Sequence, residues 1–93
     1  MSARLFYFKE SATARIIDRL PERWERVALP GLEGAEAELL SGGVILVDAT
    51  ADQVEPALLL KDRHPGLEIV ARPPNLPTSV VARMVAQAFA QIE

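Results

Sequence analysis

The chain contains no cysteine, which excludes disulfides, thiolate metal sites and cysteine nucleophiles together. Aromatic residues are scarce, with three Phe, one Trp and one Tyr, so any core has to be built mainly from aliphatic side chains. Histidine occurs once, as His64 in the turn sequence RHPG. With no second histidine at ligand spacing, it reads as a turn residue rather than a base or a metal ligand. No segment approaches the ~20 consecutive apolar residues of a membrane span. The opening segment MSARLFYFKES lacks the apolar region and small-residue cleavage site of a secretion signal. Positive charge is not in excess: ten Lys and Arg stand against thirteen Asp and Glu, a net charge of −3. That balance offers no basic face for nucleic acid. Phosphate-cradling glycine motifs and the G-x-S-x-G nucleophile turn are also missing, and Ser11, Ser41 and Ser79 sit where helix caps or helix ends belong. These absences describe a cytoplasmic domain that binds neither nucleic acid nor membrane and carries no visible catalytic toolkit.

What is present is hydrophobic patterning. Ninety-three residues, 49% of them hydrophobic, suffice for one domain whose stability comes from apolar burial. RLFYF (4–8) is apolar at consecutive positions, as a strand buried on both faces is. SATARIIDRL (11–20) places Ala12, Ile16, Ile17 and Leu20 on one helical stripe, with Ser11 as N-cap and Pro21 as the stop. WERVALP (24–30) reads as a weaker strand nearer an edge, and a short helix is expected over 33–41. VILV (44–47) is the strongest strand. ADQVEPALLLKDRHPG (51–66) is a helix with Asp52 and Glu55 in capping-box spacing, with Val54, Ala57 and Leu58 turned to the core. Its Pro56 falls near the first turn, and HPG closes it. LEIVA (67–71) is the fourth strand, RPPNLPT (72–78) a rigid loop, and SVVARMVAQAFAQIE (79–93) the last helix.

The strict βαβαβαβα alternation implies a three-layer αβα domain around a parallel four-stranded sheet. Right-handed crossovers make the flavodoxin-like order 2-1-3-4 the simplest arrangement. Reactive groups in such a sheet gather beyond the carboxyl ends of its strands, near the switch point between strands 1 and 3. That rule selects Lys9 and Glu10 after the first strand, Asp48 and Thr50 after the third, and Arg72 after the fourth. Two readings of this cluster stand side by side: an ion-pair network that caps the sheet, and a shallow crevice that takes an anion near Lys9 and Arg72.

The stretches RLFYFKES, GGVILVDAT, ALLLKDRHPGLEIVA and ARPPNLPTSVVARMVAQAF resemble, in order, segments of the receiver domains of two-component response regulators. The resemblance implies a flavodoxin-like fold in signal transduction, with Asp48 at the phospho-accepting position. Lys9 and Glu10 stand at the acidic pair that holds Mg²⁺ in that family, and Arg72-Pro73 stands in place of its Lys-Pro. The chain departs from the pattern in ways that bear on chemistry. One βα unit is missing. Lys9 subtracts an oxygen ligand and adds a positive charge where Mg²⁺, which prefers several oxygens, would sit. Ala71 and Arg72 occupy the place of the expected hydroxyl. Pairing of Lys9 or Arg72 with Asp48 would neutralise the pocket without a metal.

The expectation is therefore a shortened, degenerate receiver-like domain that has no cofactor, lacks catalysis and acts by protein contact. A second reading keeps Asp48 as phosphoacceptor, with Glu10 as Mg²⁺ ligand and Lys9 or Arg72 on the phosphoryl oxygens. The last helix adds a partner surface: Val80, Met84, Val85, Ala88, Phe89 and Ile92 spread over about half its circumference, wider than the ~100° stripe one sheet face needs. Two readings of that width stand side by side: a tightly buried helix in a small domain, and a face that meets a second copy in a homodimer. Beyond Glu93 a linker to a kinase or output domain would find its place.

Overall fold

The computed structural model describes residues 4–29 and 42–92. Strands β1 (Arg4–Phe8), β2 (Glu25–Leu29), β3 (Gly43–Asp48) and β4 (Leu67–Arg72) form one sheet in the order β2-β1-β3-β4. All three pairings are parallel. Helices α1 (Thr13–Ile16) and α3 (Thr78–Ile92) cover one face, and α2 (Ala51–Arg63) packs on the other. This is the flavodoxin-like strand order that the alternation of the sequence predicts. The helix expected over 33–41, and Ser41 with it, lies outside the described residues. Among the described residues no helix is long and apolar enough to cross a membrane.

Side chains alternate along a strand, so each apolar run feeds two cores. Leu5, Val44, Leu46 and Val70 meet Ile17, Leu20, Trp24, Val81, Val85 and Phe89 on the α1–α3 face. Phe6, Phe8, Leu29, Ile45, Val47 and Leu67 meet Ala57 and Leu60 under α2. β3 lies between two strands and between two helical layers, which is why Val44, Ile45, Leu46 and Val47 are all fully buried. Trp24 closes one end of the first core, its ring 5.5 Å from that of Phe89, with the Arg23 guanidinium 4.9 Å above it.

Three local expectations need correction. The segment 11–20 is not a continuous helix: a four-residue α turn passes into a 3-10 turn over Ile17–Arg19. Pro21 blocks extension, and the three-residue repeat of the 3-10 turn stacks Ile17 above Leu20. Both then point into the core, while Ala12 is exposed. In α2, Leu58 does not face the sheet; it is 54% exposed, and Leu60 is buried in its place. Three consecutive leucines allow either choice, and the helix settles with Val54, Ala57 and Leu60 inward. The capping box at Asp52 does not form either, because the N-cap is Thr50. The Thr50 carbonyl accepts from Gln53 at 3.1 Å and Val54 at 2.8 Å. Asp52 lies instead within the first turn, where its charge complements the helix dipole.

Gly43 opens β3 with φ 146°, a backbone conformation that side chains rarely adopt. A Cβ there would stand 2.7 Å from the Arg4 carbonyl oxygen and 2.8 Å from the Phe6 ring. The close approach of β1 to β3 therefore requires this glycine. Gly43→Ala is expected to cost about 2–3 kcal/mol, read as a lower urea midpoint at an unchanged slope; wild-type stability would show that the two strands separate freely.

Candidate functional site

The chain leaves β1 toward one edge of the sheet and β3 toward the other, which opens a crevice between the carboxyl ends of these neighbours. Its volume is about 550 Å³, and Lys9, Glu10, Asp48 and Thr50 all line it, together with Ser11, Ala12, Arg15, Asp52 and Gln53. Four of the five residues selected from the sequence thus meet at one place. The fifth, Arg72, stands behind Asp48 and is buried. Lys9 and Glu10 are exposed, and their side chains make no ion pair with another described residue.

Asp48 is the organising group. Its Oδ1 accepts the Thr13 amide at 3.0 Å and the Thr13 hydroxyl at 2.7 Å, and its Oδ2 accepts the Ala12 amide at 2.8 Å. Arg72 completes the shell, with Nη2 3.5 Å from Oδ1. The two side chains are 7% and 16% exposed, Arg72 and Asp48 respectively, so this pair is screened by little water. Arg72 is further held by Nε to the Thr13 hydroxyl and by Nη1 to the Pro74 carbonyl, both at 3.5 Å. Ser11 steadies the same turn, donating its hydroxyl to the Phe8 carbonyl at 2.7 Å and accepting the Ala14 amide at 3.2 Å. The N-cap of α1 is Ala12 rather than the expected Ser11, whose hydroxyl steadies the turn just before it. Asp48 supplies the amides of Ala12 and Thr13 with their acceptor.

Burial works to raise the Asp48 pKa, and it is outweighed by the Thr13 hydroxyl, the Ala12 and Thr13 amides and the Arg72 charge, which hold the carboxyl below its ordinary value. A depressed carboxylate pKa stabilises the fold at pH above the unfolded value of about 3.9, and that contribution is lost as pH falls through the folded value. Asp48→Asn removes the charge that three donors and a buried guanidinium require. It is expected to cost about 2–3 kcal/mol at neutral pH and to flatten the loss of stability between about pH 5 and pH 2. Urea titrations of both proteins across that range measure this; parallel pH profiles would show that the turn does not depend on the carboxylate.

The arrangement also decides how well the crevice suits Mg²⁺. The ion wants several oxygen ligands in near-octahedral geometry. Among the described residues no group of three or more His, Cys, Asp or Glu side chains is disposed to hold a metal ion. Oδ1 of Asp48 already carries three donors and Oδ2 one, and Lys9 brings positive charge to the same crevice. This donor set does not fit the ion.

Thr13 is the functional side chain that the sequence did not single out. It is fully buried and meets Asp48 across 35 residues of chain, a distance no local pattern spans. The available signal was a small hydroxyl residue two positions after Ser11, facing the end of the neighbouring strand. His64 is the C-cap residue of α2, its amide donating to Leu60 and its carbonyl accepting from Leu67, both at 2.9 Å, as a turn residue does. On α3, Val85 and Phe89 are buried in the chain's own core, Val80, Met84 and Ala88 are half-buried, and Ile92 is 37% exposed. No family model, no curated protein and no solved structure matches the chain.

Proposed function

We propose that this chain is a receiver-like regulatory domain of cytoplasmic signal transduction, which acts through contact with other proteins and takes up no phosphoryl group. One observation carries the reading. Asp48, which stands where a receiver's phosphoacceptor would, has its carboxylate committed to the Ala12 and Thr13 amides, the Thr13 hydroxyl and Arg72. A carboxylate with a depressed pKa is a poor nucleophile, and converting it to an acyl phosphate would take an oxygen away from the amide and hydroxyl donors that hold it. The lack of a fitting oxygen set for Mg²⁺ supports the same conclusion, since phosphoryl transfer depends on a cation to neutralise developing charge. With catalysis set aside, such a domain keeps its folded surface as its working part, and its partner is a second copy or another protein.

A phosphoacceptor reading draws on one detail: Oδ2 of Asp48 holds a single hydrogen bond, and Asp48 lines the crevice. The two readings separate in one measurement. The chain is incubated with a small acyl phosphate and Mg²⁺ and then weighed intact by mass spectrometry. The expected outcome is an unchanged mass. A phosphoryl adduct on the wild type that disappears in Asp48→Asn would overturn the regulatory reading and leave Asp48 as a working acceptor.

A further inference from the structure

β4 is an edge strand, and its backbone bonding shows which of its groups face outward. In a parallel pair, alternate residues of a strand direct both N–H and C=O to the same neighbour. Ala49 donates its amide to the Arg72 carbonyl at 2.9 Å, so Arg72, Val70 and Glu68 turn their backbone groups toward β3. Leu67, Ile69 and Ala71 turn theirs toward the free edge. The Leu67 amide is already given to the His64 carbonyl, and the Pro73 carbonyl already accepts from Leu76 at 3.3 Å. Ile69 and Ala71 are left, each with an N–H and a C=O directed outward and no further backbone bond among the described residues.

The usual guards of a sheet edge are a proline within the strand, a bulge, or a free lysine. β4 has none of them. Its register with β3 runs unbroken from Gly43–Leu67 to Asp48–Arg72, and both of its charged residues are engaged within the molecule. Glu68 pairs with Lys61 at 3.2 Å and Arg72 with Asp48 at 3.5 Å. β2, at the opposite edge, carries adjacent Glu25 and Arg26.

We propose that a second copy of this chain adds to β4, antiparallel about a two-fold axis through Val70, to continue the sheet across two molecules. The register follows from the groups that remain. With Val70 opposite Val70, Ile69 of each copy faces Ala71 of the other, and each such pair exchanges two hydrogen bonds, about four in all. Centring on Ile69 would set Ala71 against Leu67, whose amide is taken. Centring on Ala71 would set Ile69 against Pro73, which has no amide. The Val70 register alone avoids both losses.

The apolar surface beside this edge fits the same occupant. Lys61 reaches Glu68 from α2, so the flank of α2 bearing Lys61 borders the edge. Leu58, three residues earlier on that flank, is 54% exposed and lines a groove of about 790 Å³ with Glu55, Leu59, Asp62 and Pro65. Pairing through β4 sets the two α2 flanks side by side and covers Leu58. This assembly is independent of whether Asp48 accepts a phosphoryl group.

Sedimentation equilibrium of the chain over about 1 μM to 1 mM tests the pairing. The weight-average mass is expected to rise twofold across the series. Ala71→Pro removes an outward amide while sparing the ladder to β3, and is expected to stay monomeric with its circular dichroism intact. An Ile92→Glu variant on α3 is expected to dimerise as the wild type does. A chain monomeric throughout, a dimer that survives in a folded Ala71→Pro, or one lost only in Ile92→Glu would each overturn the proposal. Should Ala71→Pro fail to fold, amide exchange in the wild type decides: slowing at Ile69 and Ala71 with rising concentration supports the pairing, and concentration-independent exchange there refutes it.

Discussion

A carboxylate drawn most of the way into a protein must find donors or lose its charge, and Asp48 meets that demand from outside its own strand. Its acceptors tie the end of β3 to the turn that follows β1, while Arg72 draws in the end of β4 and, through Pro74, the loop beyond it. Three separate stretches of backbone converge on one group. α1 depends on this most, because four residues of α-helix and a 3-10 turn are too short to persist on their own hydrogen bonds. Asp48 satisfies two amides at the start of that turn, and the apolar packing of Ile17 and Leu20 fixes its other end. The carboxylate and the core thus hold opposite ends of the same short connection.

The strands were legible because the physics that forms them is local. RLFYF, VILV and LEIVA are apolar runs closed by charged or turn residues, and the structure extends them by no more than one residue at either end. The parallel order followed from alternation and crossover handedness. Helix faces were less secure. In α2 the sequence offers Leu58, Leu59 and Leu60 in succession, and only contact with Ile45, Val47 and Leu67 selects Leu60. The site divides along the same line. Position at strand ends was enough to find Lys9, Glu10, Asp48, Thr50 and Arg72. The bond that gives Asp48 its character comes from Thr13, whose significance exists only after the sheet has brought residues 13 and 48 together. The pairing of Asp48 with Arg72 was foreseeable from charge alone; that Lys9 remains outside it was not.

The two edges of the sheet show how a small αβα domain distributes its polar residues. β2 ends the sheet with Glu25 exposed and Arg26 half-buried, and Glu25 pairs across to Arg4 of β1 at 3.3 Å. Charge therefore stands along that edge, where a foreign strand would have to strip water from it. β4 spends its charges differently. Arg72 is committed inward to Asp48, and Glu68 is bound to α2 through Lys61, which leaves Ile69, Val70 and Ala71 uncharged at the middle of the strand. The interaction that neutralises the crevice is thus also the one that removes a guarding charge from the edge. An arginine free to swing out at position 72 would protect β4 and leave Asp48 buried without its cation; an arginine held on Asp48 secures the turn after β1 and leaves the edge open. With β4 at the end of the described sheet, the same side chain cannot do both.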